Sequence, residues 1–143
     1  MNYHHILVAY DGSEAAEKAL KHAIHLAGNN PDNRLTVAYV RNRPKMTVEG
    51  IAWAVPNDYE ERLRQYENNM LAMAADKTAH IRNASTVVLT GIPAAALLEY
   101  ADKHRCDLIV MGSRGLGAFK EWMLGSVSHH VVQQSKVPVL IVK

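Results

Sequence analysis

A glycine-rich stretch in the second half of the chain holds the residues whose types and spacing are suited to chemistry. Four of the eight glycines fall within the seventeen residues 112–128. Glycine lets a main-chain N–H group approach an anion without interference from a Cβ atom. Ser126, at the predicted start of a helix, adds a hydroxyl and the positive end of the helix dipole. The stretch therefore predicts a pocket for phosphate groups.

Two common phosphate-binding motifs do not fit this stretch. The P-loop needs a glycine followed by lysine, and no glycine in the chain is followed by lysine. The dinucleotide motif Gly-x-Gly-x-x-Gly fails because Lys120 stands where a third glycine is needed after Gly115 and Gly117. The spacing that remains is Gly112-x2-Gly115-x9-Gly125-Ser126.

Short apolar runs alternate along the chain with segments of helical periodicity. The runs that predict strands are 6–9, 35–40, 86–89, 108–111 and 137–142. One helix begins at Ser13 and ends at Gly28, another begins at Pro93, and the last begins at Ser126. The long helix between the second and third strands is lined on one side by Tyr59, Leu63, Tyr66, Met70, Met73 and Ile81. Residues from about 41 to 57 have no clear period, and we interpret them as a long loop.

The order of these elements predicts an α/β fold in which a parallel sheet carries helices on both faces. The predicted strands are continuously apolar, which indicates burial on both sides of the sheet. Ligands of such folds bind beyond the carboxyl ends of the strands, near the point where the strand order reverses. This rule directs attention to Asp11, Val40 and the stretch after Met111.

Two further motifs accompany the glycine spacing, one near each end of the chain. The first is Ile6-Leu-Val-Ala-Tyr-Asp11-Gly-Ser-Glu14, and the second is Val137-Pro-Val-Leu-Ile-Val142. In chain order, these three motifs resemble the first strand and turn, the nucleotide signature and the last strand of the universal stress protein family. The resemblance runs the whole length of the chain, so we expect a single domain over 1–143.

The family resemblance implies an open five-stranded parallel sheet of order 3-2-1-4-5, in a Rossmann-like fold similar to that of the adenine nucleotide alpha hydrolases. It also implies a homodimer that pairs through the C-terminal strand, Val139–Val142. Members with the full glycine spacing bind ATP, often with Mg²⁺ or Mn²⁺ held through the phosphates. AMP and ADP are the alternative ligands.

Carried onto this sequence, the resemblance assigns a ligand contact to eleven residues. The adenine and ribose would meet Ala9, Asp11 and Val40, and the ribose and α-phosphate would border Met111 and Gly112. The residues at the phosphates would be Arg114, Gly115, Gly125, Ser126, Val127 and Ser128. Tyr10 departs from the small residue often found before the aspartate, and its bulk is suited to narrow the mouth of the adenine site.

Structural interpretations compete with some of these roles. Asp11 is placed to cap the first helix, with a glutamate three residues on completing a capping box, and this role and ligand contact are compatible. Ser126 is expected to be a helix N-cap whether or not a phosphate binds. The glycine loop is alternatively a structural turn. Met70 and Met73, at helical spacing, are expected in the core.

Other conspicuous residues give no clear site. The adjacent histidines at 4–5 and 129–130 point apart on a strand or a helix, so we expect no metal site there. Cys106 is either an inert thiol at a helix end or a thiol whose pKa the preceding basic residues lower. Trp53 and Trp122 fall in the two long loops, where they cover either the nucleotide or a partner surface.

The composition excludes further classes of function. Apolar types make up 48% of the chain and charged types 21%, as in a soluble globular domain. The net charge is only +2 and there is no basic run, so the chain lacks the footprint of a nucleic-acid binder. No apolar run approaches the ~18 residues that cross a bilayer, and the single cysteine excludes an internal disulfide. We expect a cytoplasmic protein with neither nucleic-acid nor membrane partners.

Three functions stay open on this sequence. The first is an ATP-binding protein that regulates a stress response and has no catalytic residues. The second is an enzyme on the same architecture, a slow ATPase or an adenylating ligase, for which Glu121 is the only carboxylate in the glycine loop. The third is a dimeric signalling module with an unused nucleotide pocket, since the edge of the apolar last strand is suited to pair with another chain.

Overall fold

Five strands and four helices alternate over the residues that the structure, a computed structural model, describes: 2–41, 58–114 and 124–143. The strands are β1 (His5–Ala9), β2 (Arg34–Arg41), β3 (Ala84–Thr90), β4 (Leu108–Gly112) and β5 (Val139–Val142). The helices are α1 (Glu14–Ala27), α2 (Tyr59–Lys77), α3 (Pro93–Lys103) and α4 (Ser126–Gln134).

Part of the sequence interpretation falls outside these ranges. The predicted loop at 42–57 with Trp53, and the glycine-loop residues Gly115, Glu121 and Trp122, lie outside the described residues. Within the described ranges, no helix is both long enough and apolar enough to cross a membrane.

The strands form one parallel sheet of order β3-β2-β1-β4-β5. At its centre, Leu7 of β1 lies opposite Thr36 of β2 on one side and Ile109 of β4 on the other. The strand order reverses at β1, because the chain first builds outward to β3 and then crosses to the other side for β4 and β5. The predicted fold class and strand order are confirmed.

Buried apolar side chains form one cluster on each face of this sheet. Ile6 and Val8 pack with α1 and α2 on one face, and Leu7 packs with α3 and α4 on the other. None of these three side chains retains exposed surface. Successive strand residues point to opposite faces, so a strand that is covered on both faces is apolar at most of its positions. Burial on both faces therefore explains the continuous apolar runs of the sequence.

The ends of α1 and α3 follow local capping rules. The Ser13 hydroxyl accepts a hydrogen bond from the Ala16 N–H at 3.1 Å, and the N–H of Gly28, the C-cap, donates to the Ile24 carbonyl. Pro93 is the first residue of α3, where its missing N–H needs no partner. These predicted helix ends are confirmed.

The long helix α2 differs from its prediction in length and in rotation. It ends at Lys77, so Ile81 lies in the turn beyond it. Tyr66 and Met73 are 46% and 54% exposed, so the prediction that Met73 lies in the core is wrong. The residues of α2 that are buried are Glu67, Met70 and Ala74. The predicted apolar stripe is wrong at these positions because Glu67 and Ala74 point inward, whereas the neighbouring Tyr66 and Met73 point outward.

A polar cluster ties the amino ends of β1, β2 and β4 together. The His5 ring is buried, with Nδ1 donating to the His104 carbonyl at 3.1 Å and Nε2 accepting from the Thr36 hydroxyl at 2.8 Å. Asp107 accepts from the N–H groups of His4 and His5 at 2.8 and 2.9 Å. Burial lowers the pKa of His5. Burial opposes ionisation of Asp107, but the hydrogen bonds from His4 and His5 outweigh it and lower the pKa of Asp107.

Candidate functional site

A cavity of about 430 Å³ lies at the carboxyl ends of β1, β2 and β4. The ends of these strands and the first turns of α2 and α4 contribute to its wall, together with residues of α1 and α3. Its volume is in the range of small-molecule sites, ~300–1,000 Å³. The cavity adjoins β1, where the strand order reverses, which is the position at which open α/β sheets bind ligands.

Ten of the eleven candidate ligand residues line this cavity. The lining candidates are Ala9, Asp11, Val40, Met111, Gly112, Arg114, Gly125, Ser126, Val127 and Ser128. The eleventh, Gly115, lies outside the described residues. Segments that are far apart in the sequence are thus brought to one place by the topology of the sheet. Their contacts with a ligand stay a prediction.

Asp11 shapes the turn between β1 and α1 but does not cap the helix. Its Oδ1 accepts the Ser13 N–H at 2.9 Å, while Ser13 is the N-cap residue of α1. The capping-box interpretation of Asp11 is therefore wrong, because the cap lies two residues further on. Gly12 between them has φ +80°, a left-handed conformation in which a side chain is strained. The carboxylate of Asp11 remains part of the cavity wall.

The first turn of α4 presents main-chain N–H groups in residues that line the cavity. Gly125 is the N-cap, with φ −62° and ψ 161°, and Ser126 is the first helical residue, so the prediction of Ser126 as N-cap is wrong by one position. Three N–H groups of a helical first turn have no acceptor within the helix, and Gly125 has no side chain to bond them. The positive end of α4 is therefore available to an anion.

The Ser128 hydroxyl has partners within the protein. Ser128 is buried, and its Oγ lies 3.0 Å from the carbonyl oxygens of Ser113 and Gly125, to which it can donate. This hydroxyl therefore ties α4 to the end of β4. What Ser128 offers to the cavity is its main chain.

Gly112 is required by packing as well as by its place in the cavity. A Cβ atom built on Gly112 would lie 2.6 Å from the Ala15 Cβ and 2.9 Å from the Ala15 carbonyl carbon. The first turn of α1 thus approaches the end of β4 more closely than any side chain there would permit. A Cβ on Gly125 would instead meet its nearest atom, the Ser113 carbonyl oxygen, at 3.4 Å.

Tyr10 borders the cavity but is anchored on the α1 and α2 side of the sheet. Only 3% of Tyr10 is exposed, and its hydroxyl donates to Glu17, which also accepts from Lys77. Burial, reinforced by Glu17, raises the pKa of Tyr10. Burial of Glu17 opposes its ionisation, but the hydrogen bonds from Lys77 and Tyr10 outweigh it and lower the pKa of Glu17. The ring of Tyr10 is thus part of the core cluster.

An ion pair between the partly exposed Arg41 and a buried carboxylate joins α2 to the end of β2 beside the cavity. The Arg41 Nε donates to both carboxylate oxygens of Glu67, at 2.9 and 3.1 Å, and Nη2 also donates to this carboxylate. Tyr39 makes a further hydrogen bond to Glu67, and its pKa is raised by burial and by the nearby carboxylate. Arg41, but not Glu67, is among the residues that line the cavity.

The sequence interpretation missed part of the cavity wall. Arg41, Tyr59, Leu63 and Pro93 line the cavity and were not among its candidates. Arg41 carried a usable signal, since it directly follows Val40 at the carboxyl end of a predicted strand. No sequence signal marks Tyr59 and Leu63 as cavity residues, because their position depends on how α2 is placed against the sheet.

A second cavity, of about 470 Å³, lies near the far ends of α3 and α4 and is lined by Leu98, Cys106 and Lys136 among others. None of the candidate ligand residues lines it. Burial raises the pKa of the Cys106 thiol to about 11, which favours the interpretation of an inert cysteine. Among residues 2–41, 58–114 and 124–143, no three His, Cys, Asp or Glu side chains are grouped so that they could hold a metal ion.

The fold and the cavity define a doubly wound α/β protein with a cavity at its topological switch point, and known proteins share this fold. The sequence profile of the universal stress protein family matches residues 2–143. The universal stress protein YxiE of Bacillus subtilis is 36% identical over 148 residues, which cover 99% of each chain. The chain belongs to the universal stress protein family.

Solved structures show the same architecture. The structure of MJ0577, a universal stress protein of Methanocaldococcus jannaschii, superposes with a TM-score of 0.84 at 28% identity and covers 100% of this chain and 97% of its own. A universal stress protein solved in complex with cAMP superposes with a TM-score of 0.73 at 27% identity and covers 100% of this chain and 99% of its own.

Proposed function

We propose that this chain is an ATP-binding regulatory protein that takes part in a stress response, with its nucleotide in the cavity at the carboxyl ends of β1, β2 and β4. The observation that carries the proposal is the convergence of ten candidate residues on one cavity of about 430 Å³. The complex of a 27% identical universal stress protein with cAMP supports an adenine nucleotide as the ligand.

In this proposal the base and the phosphates occupy different ends of the cavity. The adenine and ribose lie against Ala9, Asp11 and Val40, and Met111 borders the ribose. The phosphates lie at the first turn of α4, where main-chain N–H groups and the helix dipole favour negative charge. Arg114, which lines the cavity, adds positive charge at this end. Gly115 belongs to the same phosphate contact.

A divalent cation is held through the phosphates in this proposal. Asp11 is the one carboxylate among the described residues that line the cavity. Because Mg²⁺ and Mn²⁺ take oxygen ligands and commonly use substrate phosphates, either ion fits a site in which the nucleotide supplies most of the ligands. AMP and ADP fit the same base site with fewer phosphate contacts.

We propose a binder in preference to an enzyme. A general base must reach the water that it activates, and the Asp11 carboxylate already accepts the Ser13 N–H at 2.9 Å. Slow hydrolysis of bound ATP, or adenylation, is the alternative function on the same fold. The third alternative is a signalling module in which the cavity is unused.

The proposal includes a homodimer formed through β5. Among the described residues β5 is an edge strand whose one partner is β4, and Leu140 on it is 37% exposed. An unpaired apolar edge is suited to pair with a second copy. We further propose that the chain folds as a single domain over 1–143 and works in the cytoplasm, without nucleic-acid or membrane partners; its single, buried cysteine supports a reducing compartment.

Isothermal titration with MgATP tests the nucleotide site directly. The wild type is expected to bind, and Gly125→Glu is expected to lose binding, because the new carboxylate would repel the phosphates at this position. Its Cβ would meet no atom closer than 3.4 Å, and circular dichroism of the variant checks that the fold is kept. Gly28→Glu, an exposed glycine at the end of α1, is the matched control and is expected to bind as the wild type does. No heat with the wild type up to millimolar ATP contradicts the proposal.

Two assays separate the alternatives. Sustained phosphate release that Gly125→Glu abolishes would favour the enzyme over the binder. Light scattering is expected to give twice the 15.9 kDa mass of one chain. A dimer that binds no nucleotide would favour the signalling module, and a particle with the mass of one chain would contradict the proposed dimer.

A further inference from the structure

The burial of the inward face of α2 increases along the helix. Tyr59 and Leu63, in its first two turns, line the cavity, yet no residue from 59 to 66 is buried. Glu67 is the first buried residue of the helix, and Met70 and Ala74 follow it into the core. The part of α2 that forms the cavity wall is therefore exposed or only partly buried, and the packed part begins at Glu67.

The buried carboxylate of Glu67 is paired with a cation and hydrogen-bonded. Its side chain is 2% exposed, and the carboxylate accepts the single N–H of the Arg41 Nε, shared between its two oxygens, and further hydrogen bonds from Nη2 and from Tyr39. A carboxylate removed from water is stable only with such partners. Because a forked guanidinium–carboxylate contact fixes direction as well as distance, the pair sets the orientation of α2 against β2.

Arg41 connects this contact to the base side of the cavity. It directly follows Val40, and both residues line the cavity. Its carbonyl also accepts the Gly91 N–H at 3.2 Å, which ties it to the end of β3. The main chain of Arg41 is therefore fixed by β3, and its guanidinium in turn fixes the position of α2 relative to the sheet.

We propose that the Arg41–Glu67 pair is the positioning element of the base side of the cavity: it holds the first two turns of α2, with Tyr59 and Leu63, against the end of β2, and thereby sets the affinity for the base of the nucleotide. This inference rests on the proposed nucleotide site. The phosphate end of the proposed site is built instead by α4 and the end of β4.

The other polar contacts that α2 makes within the described part of the chain do not replace the pair. Lys77 bonds to Glu17 at the far end of the helix, and the Tyr66 hydroxyl donates to the Asp11 carbonyl at a long 3.3 Å. The first contact lies at the opposite end of the helix, and the second is a single long hydrogen bond from the end of the second turn. Arg62 pairs at 2.7 Å with Asp58, but both side chains are more than half exposed and lie on the same helix end, so this ion pair gives no hold on the sheet.

The test compares a ligand that has a base with one that has none. Titrations of wild type, Glu67→Gln and Arg62→Gln are made with MgATP and with inorganic tripolyphosphate. Glu67→Gln is expected to weaken ATP binding at least 10-fold and tripolyphosphate binding less than 2-fold, because only the base side moves. Arg62→Gln, which breaks the exposed pair on the same helix, is expected to change neither. Hydrogen exchange of amides 59–66 is expected to speed up in Glu67→Gln relative to amides 70–77.

The titrations distinguish a failure of the positioning role from a failure of the proposed nucleotide site. Equal losses for the two ligands would show a merely structural role and would overturn the proposal, as would ATP binding that Glu67→Gln leaves unchanged. If the wild type binds neither ligand, the proposed function itself fails. Arg41→Lys, which keeps the charge but loses the forked contact, replaces Glu67→Gln if that variant does not fold, with the same expected difference between the ligands.

Discussion

Replacing Gly112 by alanine should destabilise the fold through one identifiable contact. The added methyl would lie 2.6 Å from the Ala15 Cβ and 2.9 Å from the Ala15 carbonyl carbon, against ordinary carbon contacts of 3.5–4.0 Å. The first turn of α1 must therefore move about 1 Å away from β4. Overpacking of this kind costs about 1–3 kcal/mol, and the backbone contact places Gly112→Ala near the upper end, about 2–3 kcal/mol.

For a domain of this size, that loss corresponds to a fall in Tm of roughly 6–10 °C. Thermal and urea unfolding followed by circular dichroism measure it. Gly125→Ala is the matched control from the same cavity wall: its methyl would meet no atom closer than 3.4 Å, so the loss should stay below about 1 kcal/mol, mostly from a poorer N-cap.

A double variant isolates the contact. In Gly112→Ala/Ala15→Gly the closest clash is removed while the 2.9 Å backbone contact persists, so the two changes should couple favourably by about 1 kcal/mol. If Gly112→Ala were as stable as Gly125→Ala, or the two changes were additive, the close approach of α1 to β4 would not be what requires a glycine at 112.

Three further changes test other parts of the structure. Burial lowers the pKa of His5 from 6.5, so the neutral His5 contributes fully to stability above pH 6.5, and this contribution is lost as the pH falls toward the pKa of the folded state. The Tm of His5→Asn should therefore fall less between pH 7.5 and 5.5 than that of the wild type. Equal falls would argue against this. Arg105 has φ 55° after the end of α3, so Arg105→Gly should raise the free energy of unfolding by about 1 kcal/mol in urea titrations, and a loss would refute the strain. With the pKa of Cys106 raised to about 11, iodoacetamide at pH 8 should label the native thiol far more slowly than the unfolded one, whereas equal rates would show it to be accessible.

The fold was predictable because its signals are local. Three adjacent residues, Ile6, Leu7 and Val8, read as a strand buried on both faces, and they are completely buried on alternate faces. Ser13, Gly28 and Pro93 mark helix ends through preferences that act within one turn. The alternation of such elements then leaves few topologies, since parallel crossovers are right-handed.

The rotation of α2 was not predictable in the same way. Its sequence offers Tyr66 and Met73 as core residues, whereas the structure buries Glu67 and Ala74. The burial of Glu67 depends on Arg41, which is 26 residues away, and a pairing at that distance leaves no periodic signal. The local sign of an ion pair is a charged residue on an otherwise apolar buried face.

The candidate site was predictable in its location and less so in its details. The rule that ligands bind at the carboxyl ends of parallel strands led to Asp11 and Val40, which line the same cavity. The N-cap of α4 was placed one residue late, since serine is the commoner cap but backbone conformation selects Gly125. Which partner the Ser128 hydroxyl takes also depends on tertiary structure, because the Ser113 carbonyl comes from the end of another strand.

The central claim is that an adenine nucleotide lies in the cavity at the carboxyl ends of β1, β2 and β4 with its phosphates at the first turn of α4. Amide chemical shifts of the ¹⁵N-labelled protein during titration with MgATP locate the ligand directly. The account predicts the largest changes at the amides of Ser126, Val127 and Ser128, and at those of Asp11 and Val40. Changes centred on the second cavity, around Leu98 and Lys136, or none at millimolar ATP, would contradict it.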